Sequence, residues 1–257
     1  MMHFRFLVPA LVLLGACGSK PRPNLFPAAQ PLTEEQIQAR WNQALAAFRT
    51  GSWKLTRTTL ERLLPELPPG DPRRSKGHFY LGECYFATHD NLQAVREFRR
   101  VADETPNDRL APDALLRTGD AYAELWKRPE LDPTYGETAM GTYQELLNRY
   151  PGTIAADRAQ IRMADLREQF AIKLYKAALF YVRLKAWDSA ILYLRDVVAT
   201  YPKSSVAPEA LVKLVKAYKT IGYQEDLQET CGYIRRFHPD ARGADEYCPE
   251  SPAPGTT

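Results

Sequence analysis

The chain has 257 residues, with 34 Lys+Arg against 31 Asp+Glu for a formal net charge of +3, and 45% of it is hydrophobic. So near a charge balance excludes a nucleic-acid partner gripped by a basic surface, while the apolar content suffices for a core of one elongated domain or two small ones.

The first sixteen residues, MMHFRFLVPALVLLGA, carry one charge, Arg5, ahead of about ten mostly apolar positions. That is a signal-peptide layout, too short to span a bilayer. It ends at LGAC, and polar GSKPRP follows Cys17. The junction resembles the lipobox of bacterial lipoproteins, which implies that residues 1–16 are removed and Cys17 is acylated. Each buried methylene contributes about 0.8 kcal/mol and one chain anchors only marginally, so the several chains of a lipoprotein hold the domain on a membrane without spanning it. Gly18, in place of Asp, implies sorting to the outer membrane with the domain facing the periplasm. Residues 17–31, rich in Pro, Ala and polar residues, read as a flexible tether.

From residue 32 to 240 one pattern returns. Its clearest copy holds Gly82, Tyr85, Ala94, Phe98, Val101 and Pro106. Ahead of it Ala44, Gly51, Trp53, Leu60, Leu63 and Pro68 fall in register; behind it come Gly119 and Tyr122, about eight extra residues, then Ala139, Tyr143, Leu146 and Pro151. A fourth copy has Ala178, Tyr181, Ala190, Leu194, Val197 and Pro202. The fifth has Tyr218, Leu227, Ile234 and Pro239, with Cys231 at an aromatic position. The order resembles the tetratricopeptide repeat, two antiparallel helices of about 34 residues. The expected fold is therefore all-α, a solenoid of about ten helices in five repeats, near 37–70, 75–108, 112–153, 154–204 and 208–240, followed by a tail, 241–257.

Pro151 and Pro202 stand 51 residues apart, about 17 more than a repeat needs. Between Ile154 and Lys185 there is no Gly or Pro, and Met163, Leu166, Phe170, Leu174, Ala178 and Tyr181 recur at helical spacing. One extended helix opening the fourth repeat is the economical reading; a bend at Arg167 to Gln169 between two short helices is the alternative. A helix longer than its stack needs also exposes extra area for a partner.

No HExxH, CxxC, GxSxG or glycine-rich phosphate loop occurs, and His78, His89 and His238 fall in separate repeats. An enzyme, a metal site or a cofactor is thus not expected. A solenoid offers surface, chiefly the face lined by the first helix of each repeat. The template places Gln38, Trp41, Leu45 and Phe48 there in the first repeat, Lys76, Phe79, Glu83 and Phe86 in the second, and Leu116 and Asp120 in the third. Aromatics with a few charges suit an extended peptide bearing aromatic side chains; the alternative is that Trp41 and Phe48 pack against the tether or the next helix. Along the long helix, Arg158, Arg162, Arg167, Lys173 and Lys176 form a basic set. Cys84 reads as a buried thiol, whereas Cys231 and Cys248 are able to bridge the last helix to the tail.

Together the lipobox, five repeats, the insertion LDPTYGETAMGTYQELLNRYPGT, the long AADRAQIRMADLREQFAIKLYKAALFYVRLKAWDSAI segment and YPKSSVAPEALVKLVKAYKTIGYQEDL resemble the BamD family, lipoprotein subunits of the bacterial β-barrel assembly machinery. The resemblance implies a scaffold that docks the POTRA domains of BamA through its later repeats, here the region of Arg158, Arg162, Arg167 and Tyr193. It further implies contact with other lipoproteins of the complex, and first repeats that receive the aromatic-ended C-terminal signals of unfolded outer-membrane proteins. A secretin pilotin or a peptidoglycan-associated organiser is the alternative among repeat lipoproteins. The helix extension and the third-repeat insertion argue against it.

Overall fold

The computed structural model describes residues 31–248. The signal segment, Cys17, the tether before residue 31 and the end of the tail lie outside the described residues.

Helix starts are written locally. Thr33 accepts from Gln36 N while the Gln36 side chain accepts from Thr33 N, a reciprocal cap that opens α1 (Glu34–Arg49). Asp71 caps Arg73 N at 2.8 Å with Pro72 in the first turn, which opens α3 (Pro72–Ala87). Thr153 caps Ala156 N and begins α7 (Ile154–Arg183). The remaining helices are α2 (Trp53–Leu63), α4 (Asn91–Glu104), α5 (Ala111–Glu124), α6 (Thr134–Arg149), α8 (Trp187–Thr200), α9 (Ala207–Ile221) and α10 (Gln224–Phe237). These are ten helices in five pairs, without a strand among the described residues.

Each helix packs on the one before and the one after, and α5 also reaches α7. This is the contact order of stacked helical hairpins, where no hairpin buries its apolar face alone. The small positions of the repeat allow close approach: a Cβ on Gly119 of α5 would stand 2.3 Å from the ring of Tyr143 on α6. Tyr143 is fully buried as a result. Cys84 is buried too, which pushes its thiol pKa up to about 12 and leaves it a packing group.

The long segment is one continuous helix of 30 residues, about 45 Å, without the alternative bend at Arg167 to Gln169. Its first half buries Ala155, Ala159, Met163 and Leu166 in a core shared with Leu115, Leu116, Trp126 and Tyr143. Its second half puts Tyr175 and Ala178 into a separate core with Ala190, Leu194, Leu211, Val215 and Tyr218. Between the halves the third-repeat insertion covers it. The ring of Trp126, 1% exposed, lies 4.6 Å from that of Phe170, and Lys173 donates to the carbonyls of Leu131 (2.7 Å) and Pro129 (3.2 Å). Lys176 pairs with Glu130. Much of the extra helix is therefore a seat for the insertion. The free surface left on its first half centres on Ile154 and Ile161, 72% and 62% exposed.

Candidate functional site: the groove face of the first three repeats

The face formed by α1, α3 and α5 has an aromatic part and an ionic part. In the aromatic part Tyr80 is the hub: its ring lies 4.5 Å from Phe48, 6.4 Å from Trp41 and 6.5 Å from Phe79. Lys76 Nζ stands 5.8 Å from the Tyr80 ring centroid, a cation over a π face. Phe48 also meets Trp53 edge-on at 5.6 Å, and Phe79 meets Phe98 at 5.5 Å. Phe48, Phe79 and Tyr80 are half-buried, so each keeps part of its ring open. Gln38, at the α1 end, accepts from Arg73 and donates to Asn42.

The ionic part turns on Arg117. Its guanidinium forks into Glu83 at 2.6 and 2.8 Å, donates to Asp120 at 3.0 Å and lies 4.1 Å from the Phe86 ring centroid. A planar fork sandwiched in this way is what Arg does and Lys does not. Asp120 also accepts from the Tyr143 hydroxyl at 2.8 Å and from Arg162 Nε at 3.3 Å. One ladder therefore links α3, α5, α6 and α7. Burial works against the Arg117 charge, but Glu83 and Asp120 outweigh it and its pKa rises. Burial and then the Asp120 charge push the Tyr143 hydroxyl well above its ordinary value, so it stays a donor. A cleft of about 510 Å³ opens beside the ladder, lined by Phe86, Asp120, Trp126, Asp165 and Gln169.

A family model described as YfiO, outer membrane lipoprotein, matches residues 33–231. The chain belongs to this family. Relatives named outer membrane protein assembly factor BamD come from Vibrio cholerae, 26% identical over 86% of this chain and 92% of theirs, and Caulobacter vibrioides, 24% identical over 85% and 70%. A third, from Xylella fastidiosa, is 22% identical over 84% and 75%. Among solved structures, a tetratricopeptide-repeat protein from Bacteroides fragilis covers 82% of this chain and 95% of its own at 12% identity and a TM-score of 0.46. One from Thermus thermophilus covers 80% and 95% at 17% identity and a TM-score of 0.37. No helix among the described residues is long and apolar enough to cross a membrane.

In this YfiO family member two residues expected in the groove are core residues. Trp41 is 6% exposed, beside a tight seam at Gly77 of α3, where a Cβ would be 2.4 Å from Leu64 and 3.4 Å from the indole. Leu116 is 5% exposed and packs in the third-repeat core; the groove position is its neighbour Arg117. Arg117 follows Glu83, its ion-pair partner, by 34 residues, one repeat length, and that spacing was the available signal. Lys76, Glu83, Phe86 and Asp120 do share the face, with Leu45 half-buried on α1. Tyr80, missed because Phe79 beside it already filled the aromatic position, is the added member.

Arg158, Arg162, Arg167 and Tyr193 do not share one surface. At about 100° per residue, Arg167 points roughly opposite to Arg158. Arg158 is exposed, Arg162 joins the Asp120 ladder, and Arg167 lines a cleft of about 300 Å³ with Tyr201 and Pro202. Tyr193, on α8, stacks on Tyr181 at 5.2 Å.

Proposed function

We propose that this lipoprotein is a scaffold of outer-membrane protein assembly. In this reading Cys17 anchors it to the inner leaflet of the outer membrane, and the domain faces the periplasm. The face of α1, α3 and α5 receives the extended, aromatic-ended C-terminal segments of unfolded barrel proteins. The later repeats dock the POTRA region of BamA beside the other lipoproteins of the complex, through the exposed start of α7 at Arg158.

The single observation that carries the reading is the family match across 33–231, joined to relatives whose names state the assembly role. The groove adds chemical support. Half-open rings of Phe48, Phe79 and Tyr80 offer apolar contact to an aromatic side chain, and Lys76 offers a cation to a terminal carboxylate. Arg117 is held by its two carboxylates, so the ladder shapes the groove and Lys76 is the free charge.

The test combines capture from membranes with peptide binding. Pull-down of the lipidated chain should recover a POTRA-bearing barrel protein, and failure to do so sinks the reading. Phe48→Ala with Phe79→Ala should weaken a barrel-protein C-terminal peptide about tenfold while that recovery persists. Unchanged peptide affinity in the folded double variant removes the groove assignment and leaves the docking role.

A further inference from the structure

The family match ends at residue 231, yet the chain stays folded to Cys248. Residues 238–248 return along the last hairpin in successive turns: Ala241 N donates to His238 O, Ala244 N to Ala241 O, and Cys248 N to Ala244 O. Cys231 of α10 is bonded to Cys248, with Cα atoms 5.7 Å apart.

What the tail lies on is set by repeat register. Placed relative to Tyr85 in α3, the groove positions are Lys76, Phe79 and Glu83 before it and Phe86 just after it; the same offsets from Tyr218 in α9 give Glu209, Val212 and Lys216 before it and Lys219 just after it. Three of these four touch the tail. Gly243 lies over Val212, where an added Cβ would be 3.8 Å from Cγ1. Lys216 and Lys219 hold their ammoniums 5.5 and 5.7 Å from the Tyr247 ring centroid. Lys219 also donates to the Glu246 carbonyl at 3.2 Å. Ala244 is buried at 6%, and Ala241 and Tyr247 pack on the same core.

We propose that Ala241–Cys248 is a resident peptide in the groove of the fifth repeat, locked there by the Cys231–Cys248 bond, and that a dithiol unlocks it. The contacts are those of a bound aromatic segment: a ring with two ammoniums within about 6 Å of its centroid and a backbone carbonyl held by one of them. They are few for ordering eight residues, and the covalent bond, one residue beyond Tyr247, keeps the ring at the site. Unlocking is a two-electron exchange: the dithiol becomes a disulfide, the Sγ–Sγ bond breaks, and Cys231 and Cys248 end as thiols. The freed groove then takes an extended segment carrying an aromatic side chain. This stands apart from whatever the first three repeats receive.

The experiment uses the full chain in three forms: oxidised, reduced with dithiothreitol, and carrying Cys231→Ser, Tyr247→Ala and Cys248→Ser together. Tryptic cleavage after Arg242 should be at least tenfold faster in the reduced chain; equal rates overturn the lock. A fluorescent peptide copying residues 241–248, with Ser in place of its cysteine, should bind the triple variant at least tenfold more tightly than the oxidised chain. Adding Lys216→Ala and Lys219→Ala should abolish that binding. Equal affinity for the oxidised chain, or none for a triple variant with intact helical circular dichroism, overturns the resident-peptide assignment. Should the triple variant fail to fold, Tyr247→Ala with the disulfide retained is read in its place: at least threefold tighter peptide binding supports the proposal and no change overturns it.

Discussion

Lys76, Phe79, Glu83 and Phe86 on α3 occupy the same repeat positions as Glu209, Val212, Lys216 and Lys219 on α9, and the two sets are used differently. In α3 the acid is consumed by the next repeat, since Glu83 holds Arg117 of α5, and Phe86 lies under the same guanidinium. What remains open there is aromatic surface beside one lysine. No repeat follows α9 and α10 among the described residues to supply such a partner, so the lysines of α9 meet the chain's own tail. Register fixes where a groove side chain stands; whether it is left for a ligand depends on what the next repeat brings.

The comparison is disrupted most by removing what joins the two regions. Trp126 clamps the insertion onto α7, whose halves enter the two cores. Trp126→Ala is expected to cost about 3–5 kcal/mol, the range for emptying a buried indole site. Urea unfolding should show it, with Lys173 and Lys176 losing the loop they hold. A smaller change makes α3 resemble α9: Arg117→Ala frees Glu83 and Asp120, which are 23% and 11% exposed. Stranding a fully buried charge costs about 3–5 kcal/mol; partial exposure here reduces the expectation to about 2 kcal/mol. Thermal unfolding measures that loss. Arg117→Lys should recover only part of it, since an ammonium lacks the fork that meets Glu83 and Asp120 together.

The all-α stack, its five hairpins and the length of α7 were legible because they rest on periodic signals: prolines at hairpin ends, small residues at helix contacts, and a stretch without Gly or Pro. Leu116 was misplaced, and Trp41 was left open between groove and core, for one reason. Periodicity gives the angle of a residue on its helix, and rotation by one position separates groove from core, as Leu116 and Arg117 demonstrate. The role of the helix surplus was hidden as well, because it depends on a loop, 125–133, whose Trp126 finds Phe170 only in three dimensions. No periodic signal marked the seat of the tail; it follows from the disulfide and the fifth-repeat register combined.

Beneath the α3 groove, α3 and α4 are joined by His78 Nδ1 and Glu97 Oε2 at 2.7 Å, with side chains 8% and 2% exposed. Burial raises the Glu97 pKa, but the hydrogen bond and charge of His78, with Arg100 and Arg96 beside it, outweigh burial and leave it below its ordinary 4.5. A carboxylate with a depressed folded pKa stabilises the fold above its unfolded value and loses that contribution as pH falls through the folded one. Glu97→Gln keeps an oxygen for His78 to donate to but removes the charge, so it should cost about 1 kcal/mol at neutral pH, the smallest effect predicted here. Because Gln does not titrate, the gap between wild type and variant should close as the pH is lowered below 4.5 toward the depressed value. Urea midpoints of both chains across that range measure it. A gap independent of pH would assign the contribution of Glu97 to packing and not to its charge, and the α3–α4 seam under the groove would then be held like the apolar seams around it.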